Sequence, residues 1–248
     1  MKVVFAAVLA LAAGGAAMPL YHVAGTAHGP NGSYDYVSVD ATLGRVYIGR
    51  EFGVEMFDLA RHRFRTLVAR KGVAAVLPIG PRLMLSTNGD ENSATLFDRR
   101  TGHVLADIPT GAEPDGAYHD APSGLAFVMN GGSRDVTVID VAQGSAVATI
   151  PADGEPEGAV GDGKGRLFVN LKGRNAIAVI DIAQRKVIGR YGLSDCLGPT
   201  GIAYDAVADL LISACRNRIA KLTDASDGGD RGNIAIGSGA PNFFPRCR

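Results

Sequence analysis

The chain has 248 residues, 33 of them glycine, with 46% hydrophobic and 20% charged residues and no tryptophan. Its formal net charge is zero, which excludes a global field for nucleic acid or an acidic surface and leaves only local patches. The apolar content is enough for a large core, in one domain or a repeat array.

Residues 1–17 read as a secretory signal peptide. Lys2 precedes the apolar run Val3–Ala13 and the small residues Gly14–Ala17, with cleavage expected near Ala16–Met18. The run is shorter than the ~20 residues of a membrane-spanning helix. The expected location is therefore a bacterial periplasm or the medium, with no membrane span after cleavage; an uncleaved anchor is the alternative. The three cysteines fit that compartment. Cys196 and Cys215 fall in one repeat unit and are expected to pair, leaving Cys247.

The rest of the chain is periodic. Apolar runs end in Asp58, Asp98, Asp140, Asp181 and Asp224, at spacings of 40, 42, 41 and 43. Prolines at 30, 114, 156, 199 and 241 precede the first strand of a unit, and Asp40, Asp120, Asp162 and Asp205 close it. Three markers with one period define units at about 22–70, 71–108, 109–150, 151–191 and 192–234 within a domain of 20–241, followed by an irregular tail, 242–248. Unit two is the most degenerate and carries Asn88-Gly-Asp-Glu-Asn92 in a turn. In unit three the expected strands are Gly116–Asp120, Leu125–Asn130, Val136–Asp140 and Val147–Ile150, separated by turn residues. A period of ~40–45 residues with four strands per unit predicts an all-β fold, a β-propeller of four-stranded blades. Neighbouring blades must then bury each other's faces. No helical periodicity occurs beyond the signal segment.

Phe127-Val-Met-Asn130 with Asp135-Val-Thr-Val-Ile-Asp140, and Phe168-Val-Asn170 with Ile177-Ala-Val-Ile-Asp181, resemble the Tyr-Val-Thr-Asn signature and its downstream Val-x-Val-Ile-Asp. The chain is thus similar, over about 22–240, to the YVTN-repeat (YncE-like) periplasmic β-propellers. That resemblance implies a binding or scaffold role rather than catalysis. Nucleic acid enters as a partner by resemblance only, because the best-known type resembles a single-stranded DNA binder. Family members usually have seven blades. Here five units precede a stub, Ile234–Pro241, that leads toward a sixth, so the C-terminus reads as truncated or frame-altered, or else as a short propeller that closes differently.

No Gly-x-Ser-x-Gly, His-Glu-x-x-His or P-loop motif is present, and Gly161-Asp-Gly-Lys-Gly165 reads as a hairpin. The loops between the second and third strands carry Arg50, Arg134, Lys172, Arg174, Arg216 and Arg218. An arc of guanidinium groups at a channel mouth could hold a small anionic ligand. The competing reading pairs these cations with Glu113, Asp115, Glu155, Glu157 and Asp195 of the loops that lead into the first strands. His28 and His119, with Asp115 or Asp120 nearby, are candidates for the channel as a metal ligand or acid/base group, against a structural role. The periodic aspartates read as turn acceptors. The leading expectation is a non-catalytic binding protein for a small anionic ligand or a periplasmic protein, with no cofactor and no metal. The alternatives are a metal-assisted, lactonase-like hydrolase, with a divalent cation (Ca²⁺ or Zn²⁺) and Glu113, Asp115, Glu155 and Asn130 drafted as ligands, and a non-functional fragment.

Overall fold

The computed structural model describes residues 25–237, in two compact units divided between Pro30 and Asn31. The first is described over residues 25–30, which are exposed and lack regular structure. The signal-peptide reading of residues 1–17, the tail 242–248 and Cys247 lie outside the described residues.

The second unit is all-β, with twenty strands in five four-stranded antiparallel sheets among the described residues. Sheet 1 comprises β1 (Tyr34–Asp40), β2 (Arg45–Arg50), β3 (Gly53–Asp58) and β4 (Arg63–Ala69). Sheet 2 comprises β5 (Val73–Ile79), β6 (Leu83–Asn88), β7 (Ser93–Asp98) and β8 (Val104–Pro109). Sheet 3 comprises β9 (Pro114–Asp120), β10 (Leu125–Asn130), β11 (Asp135–Asp140) and β12 (Ser145–Pro151). Sheet 4 comprises β13 (Pro156–Gly161), β14 (Arg166–Leu171), β15 (Ala176–Asp181) and β16 (Lys186–Gly192). Sheet 5 comprises β17 (Pro199–Asp205), β18 (Leu210–Cys215), β19 (Ile219–Asp224) and β20 (Asp230–Ala235). Every sheet pairs its strands in chain order and falls within one residue of a predicted repeat unit. The four strands expected in unit three are present, with the first beginning two residues earlier, at Pro114. The turn of unit two winds into a short 3₁₀ segment, Gly89–Glu91, closed by Asn92 at φ 48°.

The periodic aspartates have the local role their recurrence suggests. Asp58 accepts from the backbone N–H groups of Ala60 and Arg61, and Asp98 from those of Arg100 and Thr101. Asp140, Asp181 and Asp224 accept from Gln143, Gln184 and Ser226. Asp40, Asp120, Asp162 and Asp205 do the same in the turn after the first strand. Each carboxylate satisfies turn donors that the ladder leaves open.

Alternation along the middle strands sends side chains into two different cores. Ala126 and Val128 of β10 pack toward sheet 2 with Leu85 and Leu96. Phe127 and Met129 pack toward sheet 4 with Leu167 and Val169. Sheets 1 and 2 share Tyr47, Met56, Met84 and Phe97, and sheets 4 and 5 share Phe168, Val179, Leu211 and Cys215. A strand buried on both faces reads as a near-continuous apolar run, as Leu125–Met129 does.

The first strands neighbour one another in sequence order, β1 on β5, β5 on β9, β9 on β13 and β13 on β17. All five contribute to one cavity of about 200 Å³, lined by Tyr36, Val76, Ala117, Ala159 and Ile202 among others. The Pro-x-Gly pattern of β9 and β13 permits that close approach. A Cβ on Gly158 would stand 2.7 Å from the Thr200 carbonyl oxygen, and one on Gly116 would stand 2.8 Å from that of Glu157.

Candidate functional site

The second residue of each first strand lies near that strand's N-terminal end. These residues are Asp35, Ala74, Asp115, Glu157 and Thr200. A pocket of about 270 Å³ opens at that end, lined by Asp35, Glu113, Asp115, Glu155, Glu157 and Lys172. The repeat brings acids that are about 40 or 80 residues apart in sequence to one mouth.

Lys172 is the one cation there among the described residues. Its ammonium donates to Glu155 at 2.9 Å and to Glu157 at 2.6 Å, and the Glu157 bond is the main reason its pKa is raised. Asp115 has no such partner. Its Oδ1 is buried without a hydrogen bond. Burial, reinforced by Asp35 and Glu157 and opposed by Lys172, pushes its carboxyl up to about 7. Asp35 is raised in the same way, by burial first and then by Glu157. Tyr36 stands in the cavity among these groups. Burial and then Asp115, Glu157 and Asp35 raise its phenol and keep it a neutral donor. Removing charged groups from water and setting like charges together both disfavour ionisation. The mouth therefore suits a ligand that brings positive charge or N–H donors.

The arginines expected to form an arc do not line this pocket. Arg50 is buried and pairs with Glu55 of its own sheet. Arg174 pairs with Asp153 at 3.0 Å, both exposed. Arg134 is exposed in a turn at φ 59°, and Arg216 is exposed with its stem against Gly198. The loops do share one end: backbone N–H groups of Gly89, Gly131, Lys172 and Arg216 donate to Gly72, Glu113, Glu155 and Leu197 of the incoming loops. Ala substitutions at Arg134, Arg174 and Arg216 are expected to change stability by less than about 0.5 kcal/mol each, because exposed charges of this kind contribute little. Urea denaturation of the three variants measures it.

His119 does not line the mouth. His28 is exposed in the first unit. His119 is half-buried on β9, where burial lowers its pKa against the pull of Asp120. It lies four residues beyond Asp115, roughly 13 Å along a strand. No group of three His, Cys, Asp or Glu residues is arranged to hold a metal ion among the described residues. Asn130, drafted with Glu113 and Asp115, instead donates to Asp135 and Thr137 within its own sheet. Cys196 and Cys215 form a disulfide with a Cα–Cα separation of 5.3 Å, tying the loop before β17 to the end of β18.

Asp35 escaped the sequence reading. The signal that finds it is register: Asp35 occupies in β1 the place that Asp115 and Glu157 occupy in β9 and β13. Unit one lacks the adjacent proline of those strands, so the correspondence is hidden. No protein-family model matches the chain, and no curated protein is similar to it.

Proposed function

We propose that the chain is a β-propeller of the YVTN-repeat type, exported from the cytoplasm, that acts as a non-catalytic binding protein with its ligand or partner at the channel mouth. The propeller reading rests on five sheets of equal order, on first strands that neighbour one another in sequence order, and on four apolar cores between successive sheets. One observation carries the binding role: an unpartnered, buried Asp115 carboxylate oxygen in a mouth already rich in acids. An uncompensated carboxyl costs stability in the free protein, and a ligand ammonium removes that cost. The ligand class is thus an amine or another N–H-rich cation, in place of the anion that the arginine loops suggested.

Titration calorimetry with 1,4-diaminobutane tests this on the full chain. Saturable binding at pH 8 is expected. It should weaken about tenfold or more at pH 5.5, where Asp115 holds its proton, and to a similar degree in Asp115→Asn at pH 8. Absence of binding, or equal binding by the variant, would overturn the mouth as the site.

A further inference from the structure

A second charged pocket, of about 410 Å³, lies at the opposite ends of the strands, between sheets 1 and 2. Arg45, Arg61, Arg63, Arg65 and Arg100 line it, with Met56 and Phe64 as apolar wall and Asp58 as the one acid. We infer that this pocket is an anion site that takes a phosphoryl group carrying two or more negative charges.

Strand register builds it. Arg45 lies opposite Asp58, Asp58 opposite Arg63, and Met56 opposite Arg65. Residues two apart on a strand share a face, so Arg63 and Arg65 stand together on the face that Met56 turns toward sheet 2. Sheet 2 contributes Arg100 from the turn between β7 and β8. The Arg45 guanidinium is fixed by the carbonyl oxygens of Arg99 and Arg100, at 3.2 and 3.3 Å.

Asp58 does not neutralise this group. Its Oδ1 is taken by the turn N–H groups, and its Oδ2 accepts from Arg61 at 2.8 Å. Among the described residues no carboxylate pairs with Arg63, Arg65 or Arg100. Nor does the scaffold require a cation at the position of Arg65. The residue facing the position two before the recurrent Asp is Ala106 in sheet 2, Ala148 in sheet 3, Gly189 in sheet 4 and Gly232 in sheet 5. Only sheet 1 puts an arginine there, Arg65. A repeat-wide residue serves the repeat; one that breaks it in favour of unpaired like charges points to a ligand. Planar guanidinium groups suit phosphoryl oxygens because each offers a two-pronged donor, and the volume lies in the range of small-molecule sites.

The test uses the full chain and two sources of the same chemistry: inorganic pyrophosphate by titration calorimetry, and sedimentation with phosphatidic acid vesicles against phosphatidylcholine vesicles. Binding to pyrophosphate, to the phosphatidic acid vesicles or to both is expected. It should weaken at least tenfold in Arg65→Ala and in Arg63→Ala, while Arg134→Ala and Asp115→Asn leave it unchanged. The two arginine variants should fold as the parent does, since both side chains are exposed. Binding in neither arm would overturn the inference, as would equal loss in Arg134→Ala, which marks general charge attraction. The Asp115→Asn arm separates this site from the channel mouth.

Discussion

Replacing Asp115 by Asn is expected to stabilise the protein above pH 7 and to leave it unchanged near pH 4. The Asp115 carboxyl titrates at about 7 in the fold, against 3.8 unperturbed. Below about pH 4 it is protonated in both folded and unfolded chains, and its burial costs nothing extra. Between about 4 and 7 the unfolded chain ionises while the folded one resists, so this group makes stability fall with rising pH. Above 7 the loss is complete. A shift of one unit corresponds to about 1.4 kcal/mol, so the full shift bounds the gain near 4 kcal/mol. An Asn in the same pocket keeps a buried amide, and a gain on the order of 2 kcal/mol at pH 8 is the expectation. For a domain of this size that raises Tm by roughly 4–8 °C. Thermal melts of parent and variant at pH 4 and pH 8 measure it; the same difference at both would refute the assignment. Gain of stability with loss of amine binding is the pattern of a site that trades one for the other.

Loss of the Cys196–Cys215 disulfide is expected to destabilise the fold strongly. The bridge closes a segment of sequence separation 19, and removing such a constraint costs about 3 kcal/mol in the chain-entropy account. Both cysteines are also buried in the core shared by sheets 4 and 5, with Phe168, Ile202 and Leu211. The double variant Cys196→Ala, Cys215→Ala should therefore melt roughly 6–12 °C below the parent. Denatured, unreduced parent should expose one titratable thiol of its three cysteines, and all three after reduction. Three thiols before reduction, or an unchanged Tm in the variant, would show that the bridge does not form.

Two kinds of residue are legible in the sequence. The recurrent aspartates act within three or four residues of themselves, as Asp58 does on Ala60 and Arg61, so their period reports the turns directly. The apolar runs of β10 and β14 are long because both of their faces are covered, and that too is written locally. Arg134 stood out by the same repeat logic, but a loop position says nothing about where a side chain points. The turn holds Arg134 at φ 59° and exposed, while the repeat delivers Asp115 to the mouth.

The amino-acid sequence by itself determined the number of units, the order of strands within each and the chemistry of their turns. These depend on hydrogen bonds and side-chain alternation over a few residues. Tertiary structure alone decided which charges meet. Asp35, Asp115 and Glu157 belong to three different units, and their mutual repulsion exists only once β1, β9 and β13 converge on one cavity. Arg65 and Arg100 likewise line one pocket only because sheet 2 packs on sheet 1. Electrostatic interaction depends on distance through space and on burial, and neither is set by spacing along the chain.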